Sequence, residues 1–241
     1  MTAATKQKGA EREAAKPKLA VIVADAIEER IAQEGWRVGE IVGSEAELLV
    51  QYGVSRAVLR EAMLLLQARQ VAVPRRGPGG GLMVSVPQAS SVSDAAARLL
   101  EYEGMTGAHL HEARLSIEQM AVELATRNLD EAGIARLRAL AAPKVEKSRA
   151  EKLDQLRTFH GLLAELSGNP VLKLVVAVLV LVAQDFLNST GEEVPDPEIE
   201  QSLERQRAII EAVCDGDAAL ARARVKDYLE WVRRYAGDQN R

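Results

Sequence analysis

The chain has 241 residues, which is enough for two domains, since a typical domain holds roughly 100 to 200 residues. Its composition is 47% hydrophobic but only 3% aromatic, which predicts an aliphatic core of the kind that packed helices form. The single cysteine, Cys214, excludes an internal disulfide, and the first residues contain no apolar stretch typical of a signal peptide. We therefore expect a cytoplasmic protein.

The formal net charge of -4 does not by itself favour a nucleic-acid partner. The charge is unevenly distributed along the chain, however. Residues 1–86 contain 12 Lys and Arg against 10 Asp and Glu, a net of +2, whereas the remainder contains 19 against 25, a net of -6. This difference has the sign expected if the N-terminal part contacts phosphate and the C-terminal part does not.

Residues 1–16 are small, polar and charged without any periodicity, and we predict a disordered leader. From Pro17 the apolar residues recur at helical spacing, which predicts an amphipathic helix ending before Gly35. Those residues are Leu19, Ile22, Val23, Ala26, Ile27 and Ile31. Residues 36–42 are predicted as a turn, because glycines punctuate this stretch.

The next segment has the pattern of a helix-turn-helix. Ser44 and Glu47 have capping-box spacing and predict a second helix, and Ser55 caps a third helix after a short turn at Gly53. Arg56 and Arg60 are one turn apart and must share a face of that third helix. The opposite face is apolar, with Val58, Ala62, Leu65 and Leu66. This combination predicts a helix that enters the major groove of DNA.

Two short strands, residues 71–74 and 82–86, are predicted after this helix. Between them lies a basic, glycine-rich stretch that contains Arg75, Arg76 and Gly79. A hairpin of this composition next to a reading helix is typical of a wing, since glycine allows close backbone approach and arginine reaches phosphate or the minor groove.

After Pro87 the pattern is helical to the end of the chain, which predicts an antiparallel helical bundle. The predicted helices are residues 91–103, 106–128, 130–147, 151–167, 170–189, 197–215 and 217–236. The fold class is therefore mainly α, with a leader over 1–16, a winged helix-turn-helix over 17–88 and a bundle over 89–241. The apolar run 174–183 is too short for a membrane-spanning helix of about 20 residues, so we predict a buried helix and no membrane contact.

Four polar side chains fall in or beside the apolar stripes of four bundle helices: Arg114, His160, Gln206 and Tyr228. An inward arginine is costly unless an anion meets it, so this group predicts a cavity for a small anionic effector. Structural alternatives remain open at this point. Arg114 can pair with Glu118 one turn away, and His160 can be a core histidine with its own partner. Gln206 and Tyr228 can hydrogen-bond each other or backbone groups.

The N-terminal motifs resemble the winged-helix domain of GntR-family transcription regulators. The matching motifs are Ser44-Glu45-x-x-Leu48, Tyr52-Gly53-Val54-Ser55-Arg56-x-x-Leu59-Arg60-Glu61-Ala62 and Arg75-Arg76-Gly77-x-Gly79-Gly80-Gly81. The resemblance implies DNA contacts by Ser44, Ser55, Arg56, Arg60, Arg75, Arg76 and Gly79. Two positions depart from the family pattern, because Gly43 replaces a usual proline and Ala46 replaces an arginine that touches DNA.

The C-terminal half resembles the FCD effector domain of the FadR-type branch. The matching segments are Glu112-Ala113-Arg114 with Glu118, Phe159-His160, Ser167-Gly168-Asn169 and residues 209–217. Many relatives hold a divalent metal at positions that correspond here to Leu156, His160, Gln206 and Tyr228. Because leucine cannot coordinate and one imidazole alone is not enough, we predict neither a metal nor another cofactor.

The sequence thus predicts a homodimeric transcription regulator, either repressing or activating, that binds a palindromic site on double-stranded DNA. Its effector, a small carboxylate or other anion near Arg114, would shift the two reading heads relative to each other. No pairing of a nucleophile with a base is visible, so an enzyme is not expected. The alternative is a helical metabolite-binding protein or enzyme whose winged helix docks other proteins.

Overall fold

A computed structural model describes the backbone of residues 3–77, 79–142, 147–189 and 193–238. It describes side chains for residues 18–77, 79–142, 147–189 and 193–233. The chain divides into two compact units, residues 1–88 and residues 89–241.

The N-terminal unit is a winged helix-turn-helix with a small sheet. Its elements are α1 (Ala3–Gln33), β1 (Ile41–Gly43), α2 (Glu45–Tyr52), α3 (Arg56–Ala68), β2 (Ala72–Arg75) and β3 (Gly81–Val84). The strands pair antiparallel in the order β1-β3-β2. The core lies where α1, α3 and the sheet meet, and its fully buried large side chains include Ile27, Leu48, Leu59 and Leu82.

Two sequence expectations for this unit differ from the structure. The backbone is helical from Ala3, where a disordered leader is predicted, because Ala, Lys, Glu and Gln dominate this stretch and all have high helix propensity. Residues 1 and 2 lie outside the described residues. The predicted turn over residues 36–42 also contains the start of β1, whose Ile41 pairs with Met83. Three residues are too few to show the alternation that identifies a strand.

Caps set the two helices of the helix-turn-helix. The Ser44 hydroxyl accepts from the Glu47 backbone N–H at 3.3 Å, and the Glu47 carboxylate accepts from the Ser44 N–H at 2.8 Å, which is the predicted capping box. Gly53 ends α2 in the left-handed conformation, with φ of 61°. Ser55 then caps α3 by accepting from the Val58 N–H at 3.4 Å. The turn between α2 and α3 is therefore defined by local hydrogen bonds and one glycine.

The base of the β2–β3 hairpin depends on a close backbone approach. Arg75 pairs with Gly81, and the carbonyl oxygen of Gly43 in β1 lies only 2.3 Å from where a Cβ atom on Gly81 would stand. Only glycine at this position lets β1 reach β3. The hairpin is thus joined to the residues that lead directly into α2.

The C-terminal unit is all helical in its described residues. Its elements are α4 (Ala89–Tyr102), α5 (Gly107–Asn128), α6 (Glu131–Ala141), α7 (Arg149–Leu166), α8 (Pro170–Ser189), α9 (Asp196–Cys214) and α10 (Ala218–Asp238). Each lies where the sequence predicts a helix, but the predicted third helix, 130–147, is too long. The helix ends at Ala141. Ala142 and Lys147 are not helical, and residues 143–146 are outside the described residues. The main core is formed by α5, α6, α7, α9 and α10.

The burial prediction for α8 is wrong. Only 22% of its most apolar 18-residue window is buried, and Val171 and Leu174 are 65% and 46% exposed. By length and composition alone this 20-residue helix passes as a membrane span. It nevertheless packs on α4, α5 and α7 through residues such as Leu172 and Val182. The sequence run is apolar on all sides, and periodicity cannot show which sides a helix buries when none is polar.

Candidate functional site

The N-terminal unit exposes two arginines on one face of α3. Arg56 and Arg60 are both exposed, whereas Val58, Leu59 and Ala62 on the other face are buried in the core. Neither arginine forms an ion pair with another described residue. Their charges are therefore available to an external partner, as the spacing predicts.

The hairpin presents a second set of cations. Arg75 and Arg76 are exposed where β2 ends, and no ion pair among the described residues engages them. Gly77 and Gly79 have φ of 100° and 72°, which side-chain-bearing residues rarely adopt. The turn therefore needs glycine, and Gly79 offers exposed backbone without a side chain.

The four predicted effector residues come together in the C-terminal unit, and three of them line a cavity of about 350 Å³. The cavity wall includes Arg114 of α5, His160 of α7 and Tyr228 of α10, while Gln206 of α9 lies directly behind Tyr228. Most of the remaining wall is apolar. These apolar residues are Leu153, Leu156, Val180, Ala183, Leu187, Val194, Trp231 and Val232.

A buried carboxylate joins two of these residues. The Arg114 Nε atom donates to Glu118 Oε1 at 2.8 Å, and His160 Nδ1 lies 2.5 Å from Glu118 Oε2. Burial raises the pKa of the Glu118 carboxyl, but the charges and hydrogen bonds of Arg114 and His160 outweigh it and lower the pKa to about 2. Because an ionised carboxylate only accepts, His160 must carry a proton on Nδ1.

Gln206 holds Tyr228, a wall residue contributed by α10, in place. Gln206 Nε2 donates to the Tyr228 hydroxyl at 3.1 Å and to the Leu156 carbonyl at 3.2 Å. Burial raises the pKa of the Tyr228 hydroxyl, so this group stays protonated at neutral pH. The Tyr228 ring stacks on His160 with centroids 5.9 Å apart. The side chains of Gln206 and Tyr228 are thus held in place before any ligand binds.

The sequence predicts part of this arrangement and misses part. The pairing of Arg114 with Glu118 and that of Gln206 with Tyr228 are both foreseen as structural alternatives. The link from Glu118 to His160 is not, because 42 positions separate them and only the packing of α5 on α7 brings them together. Ser202 is also missed, although its spacing of four residues from Gln206 places both on one face of α9.

The four positions that correspond to the metal site of relatives also come together in this unit. The side chains at these positions do not fit a metal ion. Leu156 offers no ligand atom, and the Gln206 amide donates hydrogen bonds to Tyr228 and to the Leu156 carbonyl. His160 Nδ1 is committed to Glu118. Among the described residues, no group of three or more His, Cys, Asp or Glu is arranged to hold a metal ion.

Comparisons with known proteins agree with these two units. Residues 19–82 match the gntR family of bacterial regulatory proteins, and residues 109–230 match the FCD domain. The HTH-type transcriptional repressor NanR of Citrobacter rodentium (strain ICC168) is 28% identical over 236 residues, which cover 92% of this chain and 86% of that protein. NanR of Cronobacter sakazakii (strain ATCC BAA-894) is 28% identical over 232 residues, with the same coverage.

Among solved structures, Streptococcus agalactiae GntR superposes with a TM-score of 0.60 at 21% identity. The match covers 89% of this chain and 99% of that one. At this identity the likeness shows that the two chains share a fold.

The buried ion cluster yields a stability prediction. Glu118→Gln keeps the shape of the side chain but leaves the Arg114 guanidinium, 13% exposed, without its counter-charge. We expect the free energy of unfolding of the C-terminal unit to fall by about 3 kcal/mol, measured by urea denaturation at neutral pH. Glu112→Gln, on an exposed position of the same helix, should change it by less than about 0.5 kcal/mol.

Comparing wild type with Glu118→Gln at different pH values gives a second prediction. The Glu118 charge stabilises the fold above pH 4.5, the ordinary pKa of a glutamate, and this contribution is lost as the pH falls toward about 2. The stability difference between wild type and Glu118→Gln should therefore shrink across this range. A difference that does not change with pH would contradict the assignment.

Proposed function

Because the chain belongs to the gntR family of bacterial regulatory proteins and carries an FCD domain, we propose that it is an effector-controlled transcriptional repressor. The chain is a transcription regulator and not an enzyme. Repression is proposed here because the relatives described above are repressors by name. The remaining parts of the proposal are the DNA interface, the dimer and the effector.

The proposed DNA interface consists of the exposed arginines of α3 and the hairpin. Arg56 and Arg60 would enter the major groove, where arginine hydrogen-bonds guanine edges or clamps phosphates, and Arg75 and Arg76 would contact phosphate or the minor groove. Three further residues would help to position the protein on DNA, although they carry no charge. Ser44 and Ser55 cap α2 and α3, whose N-terminal N–H groups favour phosphate, and Gly79 allows the hairpin backbone to approach the duplex.

The proposed assembly is a homodimer on a palindromic operator. One short reading helix contacts few base pairs, and a two-fold dimer doubles the contacts on a symmetric site. The observation that favours this assembly is the exposure of Val171 and Leu174 on α8, which lie three positions apart and share a face. Apolar side chains exposed side by side on a helix are typical of a surface that a partner covers.

The proposed effector is a small carboxylate bound in the cavity of the C-terminal unit. The observation that carries this proposal is the state of Arg114, whose Nε atom is bound to Glu118 while its two terminal nitrogens make no hydrogen bond to a described residue. A guanidinium presents those nitrogens as a planar fork that matches a carboxylate. Arg157, exposed at the same cavity and free of ion pairs among the described residues, adds a second positive charge.

Effector binding would regulate the protein by a difference in affinity between two arrangements of the dimer. A ligand shifts such an equilibrium only by its differential binding free energy, typically about 1 to 3 kcal/mol. Ligand contacts to α5, α7 and α10 at once would favour one packing of these helices. The operator affinity would then change by the same free energy.

The DNA interface is tested with operator DNA that the wild-type protein selects from a random library. Arg56→Ala and Arg60→Ala should each weaken specific binding by roughly 5- to 150-fold, the equivalent of one lost base contact of about 1 to 3 kcal/mol. Arg75→Ala and Arg76→Ala should each reduce the slope of log affinity against log salt by about 0.9. Lys18→Ala, an exposed cation on α1, is the control and should change neither quantity.

The dimer is tested by sedimentation velocity. Leu174→Glu should shift the protein toward monomer, because a charge would be buried at the proposed contact. Leu220→Glu replaces a leucine of similar exposure, 41%, on α10 and should leave the assembly unchanged. A wild-type protein that sediments as a monomer at all concentrations, or equal effects of both variants, would refute the α8 interface.

The effector proposal is tested by a thermal-shift and calorimetric screen of small carboxylates, since binding to the folded state raises its melting temperature. Arg114→Lys keeps a positive charge for Glu118 but loses the fork, and should weaken the binding of any carboxylate that is found by about tenfold or more. Arg136→Lys, whose arginine pairs with Glu165 outside the cavity, is the matched control. Equal affinities for both variants would place the ligand elsewhere.

A further inference from the structure

One carboxylate in the cavity wall has an unmet hydrogen-bonding capacity. Glu198, in the first turn of α9, lines the same cavity as Arg114, and its Oε2 atom is buried without a hydrogen-bond partner. A buried acceptor without a donor costs free energy, and more so when it belongs to a charged group. The cavity therefore favours a ligand that donates a hydrogen bond to Glu198, since the described residues supply no such donor.

No cation of the cavity wall forms an ion pair with Glu198 among the described residues. Arg149 hydrogen-bonds Asp196 and the Val194 carbonyl, and lies 3.8 Å from Glu193. Arg114 is bound through Nε to Glu118. Among the described residues no ion pair reaches Glu198, so its charge is left for a ligand.

Glu198 lies about two turns along α9 from Gln206, the hydrogen-bond partner of Tyr228. Glu198, Ser202 and Gln206 follow one another at intervals of four residues and share one face of the helix. Each interval corresponds to about 6 Å along the helix axis. Tyr228, which accepts a hydrogen bond from Gln206 and interacts electrostatically with Arg114, lies at the far end of this stripe.

The wall of the same cavity is also lined by aliphatic side chains. Leu153 and Leu156 of α7 contribute to it together with Val180 and Ala183 of α8. Such a lining suits methylene groups and offers them no hydrogen bond. The cavity thus has the Arg114 guanidinium near Tyr228, a second cation at Arg157, an acidic group at Glu198 and apolar surface.

We propose that the effector is an amino carboxylate, with its carboxylate on Arg114 and its ammonium group on Glu198, joined by a short aliphatic chain. The inference rests on the proposed function, since it assumes that the cavity is the effector site. It goes further by assigning a second charged group to the ligand and a residue that recognises it. A charge-assisted hydrogen bond from an ammonium group supplies the donor that Glu198 lacks.

The experiment compares two matched ligand series by calorimetry on the full-length protein. The first series is β-alanine, γ-aminobutyrate, δ-aminovalerate and ε-aminocaproate; the second is propionate, butyrate, valerate and caproate, which lack only the ammonium group. The best amino carboxylate should bind at least about tenfold more tightly than its alkanoate partner. Glu198→Gln should remove this advantage while leaving the alkanoate affinity unchanged. Glu200→Gln, on the exposed side of α9, should preserve it.

The outcomes separate this inference from the function on which it rests. Alkanoates that bind as tightly as their amino partners would overturn the ammonium site and leave the carboxylate effector standing. Binding of neither series would overturn both. The unliganded Glu198→Gln protein should melt no lower than wild type, because the substitution removes an unpartnered charge. A clearly lower melting temperature would show that Glu198 has a partner in the free protein and would refute the inference.

Discussion

The C-terminal unit depends on one buried charge. Glu118 brings a carboxylate into the bundle, and its burial is tolerated only because Arg114 and His160 meet both of its oxygens. The same two contacts orient the guanidinium and the imidazole toward the cavity. The ion cluster thus links the stability of the fold to the geometry of the ligand site, since any change that displaces the carboxylate also displaces both cavity residues.

Local patterns account for much of what the sequence predicts. The capping box at Ser44, the left-handed Gly53 and the cap at Ser55 act over four residues or fewer, so the helix-turn-helix can be derived from neighbouring residues alone. The bundle helices follow from periodicity in the same way. The strand β1 has only three residues and depends on its partner β3, which is why its start is predicted as a turn.

The same distinction between local and long-range contacts applies to the functional sites. Helical spacing predicts that Arg56 and Arg60 share an exposed face, and that Arg114, His160, Gln206 and Tyr228 point toward the bundle interior. Spacing within one helix does not determine which residues meet across helices. The packing of α5, α7 and α9 brings His160 to Glu118 and places Glu198 beside the cavity. The exposure of α8 depends on which of its sides the neighbouring helices cover.

The close approach of Gly43 to Gly81 has a consequence for the entropy of DNA binding. The strand that leads into α2 is paired directly with the strand that leaves the hairpin, so the base of the wing is already ordered in the free protein. The pairing at the base of the wing therefore does not have to form when DNA is bound. Ordering a residue costs about 1 to 2 kcal/mol, and this cost is subtracted from the binding free energy. A wing with an ordered base therefore keeps more of the free energy of its arginine contacts as affinity.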